Sequence, residues 1–93
     1  MQDTVQSKLN RFKVQLKLLR LSTGFSQQEL SQKLKISLRS YQRLETGEAT
    51  PSLDQLLAMT DIFQIKLDDF FHYKDVKLMN LNFPSEKSEN VLL

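Results

Sequence analysis

Apolar residues recur at intervals of three and four along most of this chain, and only two Gly and two Pro interrupt the pattern. That spacing places apolar side chains on one face of an α-helix, whereas a half-buried strand would need strict alternation. Alternation is not convincing before residue 75. The sequence therefore predicts an all-α domain of 93 residues, and a chain of this size rarely supports a second core.

The first segment carries an apolar stripe that steps by four, three, four and three residues. We expect this stripe to face the core from a long first helix that ends near Gly24. A second set of apolar residues lies on the opposite side of the same helix, roughly 140° to 240° away, and we expect it to be exposed. The core stripe is Val5, Leu9, Phe12, Leu16 and Leu19, and the outer apolar face is Val14, Leu18 and Leu21.

Two short capped helices are predicted next. Ser26 and Glu29 have the spacing of a capping box, which starts a second helix that runs to about Lys35. Ser37 can cap a third helix, which Gly47 closes. Two short helices joined by a turn of about three residues form a helix-turn-helix, which lets the later helix enter a DNA major groove.

Two further helices complete the predicted bundle. Ser52 and Gln55 form a second capping box, which opens the fourth helix. Its predicted inward face is Leu53, Leu56, Leu57 and Phe63, and a short fifth helix would bury Leu67, Phe70 and Phe71. Residues 1–73 are thus predicted as a helix-turn-helix domain, and residues 74–93 as a C-terminal extension that allows one strand.

The third helix has two chemically different sides. At about 100° per residue, Leu38, Arg39, Gln42 and Arg43 share one face, which we call the outward set. Tyr41 and Leu44 lie on the other side and would anchor the helix in the core. Arg can bond guanine bidentately, Gln can bond adenine in the same way, and Leu can meet a thymine methyl. The outward set therefore suits DNA base edges, although exposed arginines alone are also typical of a solvated surface.

The charges are distributed unevenly along the chain, although the formal net charge is only +2. Residues 1–47 carry nine basic and three acidic residues, a net of +6, and residues 48–93 carry four basic and eight acidic residues, a net of −4. A basic half is compatible with phosphate binding. Gln27 and Gln28, at the start of the second helix, lie where amide groups bond phosphates.

Residues 16–71 resemble the lambda-repressor-like, Xre-type helix-turn-helix family. The matching motifs are Leu19-Arg20, Gly24-Phe25-Ser26-Gln27-Gln28-Glu29-Leu30, Leu44-Glu45-Thr46-Gly47, Pro51-Ser52-Leu53 and Leu56-Leu57. The resemblance implies a five-helix bundle that binds DNA as a sequence-specific transcriptional regulator. It places Gln27 and Thr46 at phosphates and the outward set towards bases, with Ser37 beside them at the helix start. It also implies a partly buried ion pair between Arg20 and Glu45.

The chain departs from the family pattern at four positions. Lys35 stands where the family usually has Gly, so we expect it to adopt a left-handed conformation at a cost of about 1 kcal/mol, or else to reshape the turn. Ser31 replaces a usual Ala, and Lys66 replaces a usual hydroxyl cap. Glu48 stands where basic residues are common and weakens the case for a phosphate contact in that loop.

The outer apolar face predicts that something covers it, although scattered exposed leucines are also normal on a protein surface. Either the apolar segment with Val76, Leu78, Leu81 and Phe83 covers it, or a second subunit does, or the segment is exchanged between subunits. A homodimer suits the predicted function, because two recognition helices one DNA turn apart read a palindromic operator. A repressor is favoured over an activator.

Other classes of function are disfavoured. There is no cysteine, and the single His72 has no partner for a metal site, so neither a metal nor another cofactor is expected. No catalytic motif is present, and we predict that the chain is not an enzyme. No apolar run is long enough to cross a membrane, and a cytoplasmic location is expected. The alternative is a protein-binding module, such as an antitoxin or an assembly factor, built on the same bundle.

Overall fold

A computed structural model describes residues 4–71, which are all-helical. Four α-helices follow in order: α1 (Val5–Thr23), α2 (Gln27–Leu34), α3 (Leu38–Thr46) and α4 (Leu53–Phe63). A single 3-10 turn at Leu67–Phe70 then closes the bundle. The all-α prediction is confirmed, and the predicted fifth helix is this 3-10 turn. The predicted strand and the boundary at residue 73 lie outside the described residues.

Hydroxyl side chains start the helices where the sequence predicts. Both predicted capping boxes form: the Glu29 amide donates to Ser26 Oγ at 2.9 Å, and the Gln55 amide donates to Ser52 Oγ at 3.1 Å. The reciprocal bonds, from the Ser26 and Ser52 amides to the Glu29 and Gln55 side chains, measure 2.8 and 2.9 Å. These local bonds set where α2 and α4 begin, because they satisfy backbone donors that have no partner inside the helix.

Four helices end in a left-handed residue. Gly24 and Gly47 have φ values of 84° and 88°, which glycine adopts without strain. Lys35 has φ 60°, so of the two expected outcomes the turn keeps its left-handed geometry and is not reshaped. Gln64 has φ 57° at the end of α4, a second strained end that the sequence did not predict. Each side chain at such a position carries a steric cost that glycine avoids.

The core is built around the middle of α1. Phe12, Leu16 and Leu19 are buried, as predicted, and the Phe12 ring lies 5.2 Å from the Phe70 ring between centroids. Val5 was predicted to be in the core and is instead 73% exposed. A helix of 19 residues is about 28 Å long. Its first buried residue is Phe12, so the first turn reaches beyond the elements that pack against it.

The inward face of α4 differs from the predicted one. Met59 and Phe63 are buried and Leu56 packs against the core, but Leu53 and Leu57 are 63% and 49% exposed. Leu53 and Leu57 are four residues apart and share one side of the helix, while the buried residues share another. The helix has two apolar sides, and the sequence alone does not decide which one turns inward.

Two polar side chains of α1 hold the last part of the described chain. Gln15, which is buried, donates to the Asp69 carbonyl at 3.1 Å, and Arg11 donates to the Phe71 carbonyl at 2.5 Å. Phe70 is fully buried, as predicted, whereas Phe71 and Leu67 are only half-buried. These bonds were not predicted. They position the 3-10 turn against α1 and α4.

No helix among residues 4–71 combines the length and the apolar character that crossing a bilayer requires.

The left-handed Lys35 generates a stability prediction. We expect Lys35→Gly to raise the free energy of unfolding by about 0.5–1 kcal/mol, because glycine relieves the strain at φ 60°. The matched control is Gln32→Gly, three residues earlier inside α2, which should lower it by about 1 kcal/mol. Urea unfolding followed by circular dichroism measures both. Equal destabilisation by the two variants would contradict the strain at Lys35.

Candidate nucleic-acid interface

Helix α3 presents the two sides that the sequence predicts. Tyr41 and Leu44 are buried and anchor the helix against the core. In the outward set, Arg39, Gln42 and Arg43 are exposed and Leu38 is half-buried. Tyr41 and Leu44 thus face inward and the three polar residues outward, as predicted, while Leu38 is only partly exposed. Three hydrogen-bonding side chains and the edge of one leucine share a face that a ligand can reach.

The turn before α3 brings the starts of α2 and α3 into one unit. Three residues separate the helices, and Ser37 caps α3 by accepting from the Ser40 amide at 3.0 Å. The Ser37 hydroxyl also donates to Ser40 Oγ at 3.0 Å, so its first role is structural. Gln28 is exposed on the first turn of α2, while Gln27 is half-buried.

A buried carboxylate lies behind this surface. Glu45 accepts from Arg20 Nε at 2.5 Å and from Arg20 Nη2 at 3.2 Å, a bidentate pair. The exposed fractions of the two side chains are only 10% for Arg20 and 5% for Glu45. The Tyr41 hydroxyl donates to the same carboxylate. Arg20 also donates to the Phe25 carbonyl at 3.1 Å, so one guanidinium joins α1, the start of α2 and the end of α3.

Gln27 connects this buried group to the outward set. Its amide nitrogen donates to Glu45 Oε1 at 3.0 Å, and its amide oxygen accepts from Gln42 Nε2 at 3.2 Å. We refer to the side chains of Arg20, Gln27, Tyr41, Gln42 and Glu45 as the Glu45 network. The sequence assigned Gln27 to phosphate and Gln42 to bases and missed the bond between them. The sequence shows that both side chains are polar, but their hydrogen bond depends on how α2 packs on α3.

The Glu45 network shifts the pKa values of its members. Burial alone would raise the pKa of Glu45, but hydrogen bonds from Arg20, Tyr41 and Gln27 favour the carboxylate and lower it. The hydrogen bond to Glu45 raises the pKa of Arg20 despite burial. Burial and the bond to Glu45 raise the pKa of the Tyr41 phenol. Near neutral pH the network therefore holds a carboxylate, a guanidinium and a neutral phenol.

Thr46 has a structural role in the loop after α3. Its hydroxyl donates to the Arg43 carbonyl at 3.2 Å and accepts from the Glu48 amide at 3.3 Å. The resemblance places this residue at a phosphate, and the residue is exposed. Because a hydroxyl has a single proton, Thr46 would have to redirect it to donate to a phosphate. The sequence did not reveal this second use of the side chain.

The outer apolar face of α1 is exposed, as predicted. Val14, Leu18 and Leu21 are 38%, 41% and 55% exposed. The other residues proposed for this interface, Val76, Leu78, Leu81 and Phe83, lie outside the described residues. Residues 4–71 contain no group of three His, Cys, Asp or Glu side chains that could hold a metal ion.

Comparison with known proteins gives a family model and a curated relative that each match more than half of the chain. The helix-turn-helix family model matches residues 16–70, which span α2, α3 and α4 together with the later turns of α1. The chain is 32% identical over 63 residues to the uncharacterized HTH-type transcriptional regulator MJ0272 of Methanocaldococcus jannaschii, a match covering 68% of this chain and 96% of the relative. No solved structure matches the chain.

The buried ion pair generates a test of what holds α3 in place. We expect Arg20→Met to lower the free energy of unfolding by about 3–5 kcal/mol, because it leaves a carboxylate buried without its cation. Arg43→Met removes an arginine whose ion pair with Glu48 is exposed, and it should cost less than about 1 kcal/mol. Urea midpoints compare the two variants. A similar small loss in both would show that the Arg20–Glu45 pair does not hold the bundle together.

Proposed function

This chain belongs to the helix-turn-helix family of the Xre, lambda-repressor-like type, and on that premise we propose that it is a sequence-specific transcriptional repressor. In this proposal a homodimer inserts one α3 per subunit into the major groove of a palindromic operator. The observation that carries the proposal is the two-sided character of α3. Its buried side is fixed by Tyr41 and Leu44, and its exposed side offers two arginines and a glutamine.

The chemistry of the outward set supports base recognition. Arginine bonds guanine bidentately through O6 and N7, and glutamine bonds adenine through N6 and N7. In this proposal Arg39 and Arg43 contact guanines and Gln42 contacts an adenine, while Leu38 meets a thymine methyl. Gln28 and the amide groups at the start of α2 contact phosphate. Gln27 contributes by orienting Gln42 through their hydrogen bond.

Selection of bound sequences from random duplex DNA tests this proposal. We expect the wild-type chain to enrich one motif, and we expect Arg39→Ala or Arg43→Ala to lose the preference at one base pair per half-site. Each loss should amount to about 1–3 kcal/mol of discrimination. The matched control is Lys66→Ala, which also removes one positive charge but lies beside the 3-10 turn that packs on α1 and α4. It should leave the motif unchanged.

Two outcomes of that selection would count against base recognition. One is enrichment of the same motif by both arginine variants. The other is the absence of enrichment at low salt, where phosphate contacts are strongest. The second outcome would favour a protein-binding module, the class that the exposed leucines of α1 also suit. Circular dichroism of each variant establishes that the bundle is intact.

A homodimer is supported by the outer apolar face of α1 and by the need for two reading helices. In our proposal the second subunit contacts Leu18 and its neighbours, and residues 74–93 contribute to that interface. We expect wild-type chain to sediment as a dimer at micromolar concentration and Leu18→Asp to shift it to monomer, because burying a lone carboxylate is costly. The comparison variant is Leu57→Asp, on the exposed side of α4. Monomeric wild type, or dissociation by Leu57→Asp alone, would exclude the α1 interface.

A further inference from the structure

The loop that ends α3 sets a carboxylate beside one arginine of the outward set. Glu48 Oε1 lies 3.6 Å from Arg43 Nε, and the two side chains are 63% and 50% exposed. We propose that Glu48 is a positioning residue, which orients the Arg43 guanidinium towards one base pair and thereby sharpens sequence preference. This inference rests on the proposed function and names a specificity-determining residue for it.

The backbone holds Glu48 over Arg43. The amides on either side of it, those of Gly47 and Ala49, both donate to the Arg43 carbonyl, at 3.1 and 3.0 Å. The Glu48 amide itself donates to Thr46 Oγ1 at 3.3 Å, and that hydroxyl donates to the same Arg43 carbonyl. Exposed ion pairs are usually weak, partly because holding two long side chains in one geometry costs side-chain entropy. Here the hydrogen bonds of the loop return to the Arg43 carbonyl, so the fold keeps the backbones of Glu48 and Arg43 close together.

The ion pair with Glu48 leaves the two terminal nitrogens of Arg43 available to bond a base. The guanidinium is planar and has five N–H donors in a rigid fork. Glu48 lies at the Nε position, whereas the two terminal nitrogens can bond guanine O6 and N7 together. The attraction of a carboxylate at one edge of the guanidinium favours the orientations that keep the two charges close. Less rotational freedom is then lost when the other edge meets a base.

The same carboxylate has an opposite effect on general affinity. DNA phosphates repel a negative charge, and binding of DNA without sequence preference depends on the net positive charge at the interface. Glu48 should therefore weaken binding to every sequence while strengthening the preference for one. A residue that only maintained the fold would move both quantities in the same direction. Opposite changes in general affinity and in sequence preference therefore distinguish a positioning residue from a structural one.

The test uses the full chain and three variants: Glu48→Gln, Arg43→Ala and the double variant. Glu48→Gln keeps the size of the side chain and removes its charge. The control is Asp61→Asn, which removes one exposed carboxylate from α4. For each protein, binding is measured to the selected duplex, to the duplex with the Arg43 base pair substituted, and to an unrelated duplex of equal length.

We expect Glu48→Gln to lower discrimination at the Arg43 base pair by about 3- to 10-fold, the scale of ordering one long side chain. Its affinity for the unrelated duplex should rise by roughly 2- to 5-fold at low salt, with a steeper salt dependence. In the Arg43→Ala background the same substitution should leave discrimination unchanged, because the residue it positions is gone. Asp61→Asn should alter neither quantity.

The outcomes separate the inference from the proposed function. If wild type enriches no motif, the proposed function fails. If wild type enriches a motif and Glu48→Gln keeps full discrimination, Glu48 is not a positioning residue. The inference is equally overturned if Glu48→Gln lowers the affinity for the selected duplex and the affinity for the unrelated duplex together. It is also overturned if Glu48→Gln changes discrimination in the Arg43→Ala background, since Glu48 would then read a base itself.

Discussion

The arrangement of the helices around the candidate DNA-binding surface depends on one buried carboxylate. Glu45 accepts hydrogen bonds from Arg20 of α1, Gln27 of α2 and Tyr41 of α3, so three helices share one acceptor. A buried charge is costly unless hydrogen bonds and an opposite charge offset the loss of water. Those partners lie on different helices, so the carboxylate keeps all of these hydrogen bonds only when the helices pack as they do here. The Glu45 network therefore selects one packing of α3 against its neighbours.

The α3 residues that anchor the fold are distinct from the two arginines that we propose to contact DNA. Tyr41 and Leu44 are buried, and removing such side chains leaves cavities that destabilise the bundle. Arg39 and Arg43 are exposed, and exposed charges contribute little to stability. Substitutions at Arg39 or Arg43 can thus alter the proposed DNA contacts without unfolding the chain. In contrast, we expect substitutions in the Glu45 network to change both the stability of the bundle and the orientation of the outward set.

The sequence predicts the local features of this fold better than the long-range ones. The serine caps follow from neighbouring residues, and the structure contains them. The left-handed Lys35 is one of the two outcomes that the family resemblance allowed at this position. Burial of Val5, Leu53 and Leu57 was predicted wrongly. For Val5, the apolar spacing does not indicate how far the neighbouring elements extend along α1. For Leu53 and Leu57, it does not indicate which of the two apolar sides of α4 is covered. The Gln27–Gln42 bond was missed because amides pair in many ways, and only the packing of α2 on α3 selects one.

Gln27 is the one described residue that hydrogen-bonds both to the buried carboxylate and to the outward set. Its two bonds have fixed directions, since the amide nitrogen donates to Glu45 and the oxygen accepts from Gln42. This orients the Gln42 amide, whose own oxygen remains an acceptor and whose nitrogen keeps a second proton. Such a group can still bond adenine through N7 and N6. The buried Arg20–Glu45 pair thus orients the exposed Gln42 side chain through Gln27. This side chain of the outward set therefore has a defined orientation before any DNA is bound.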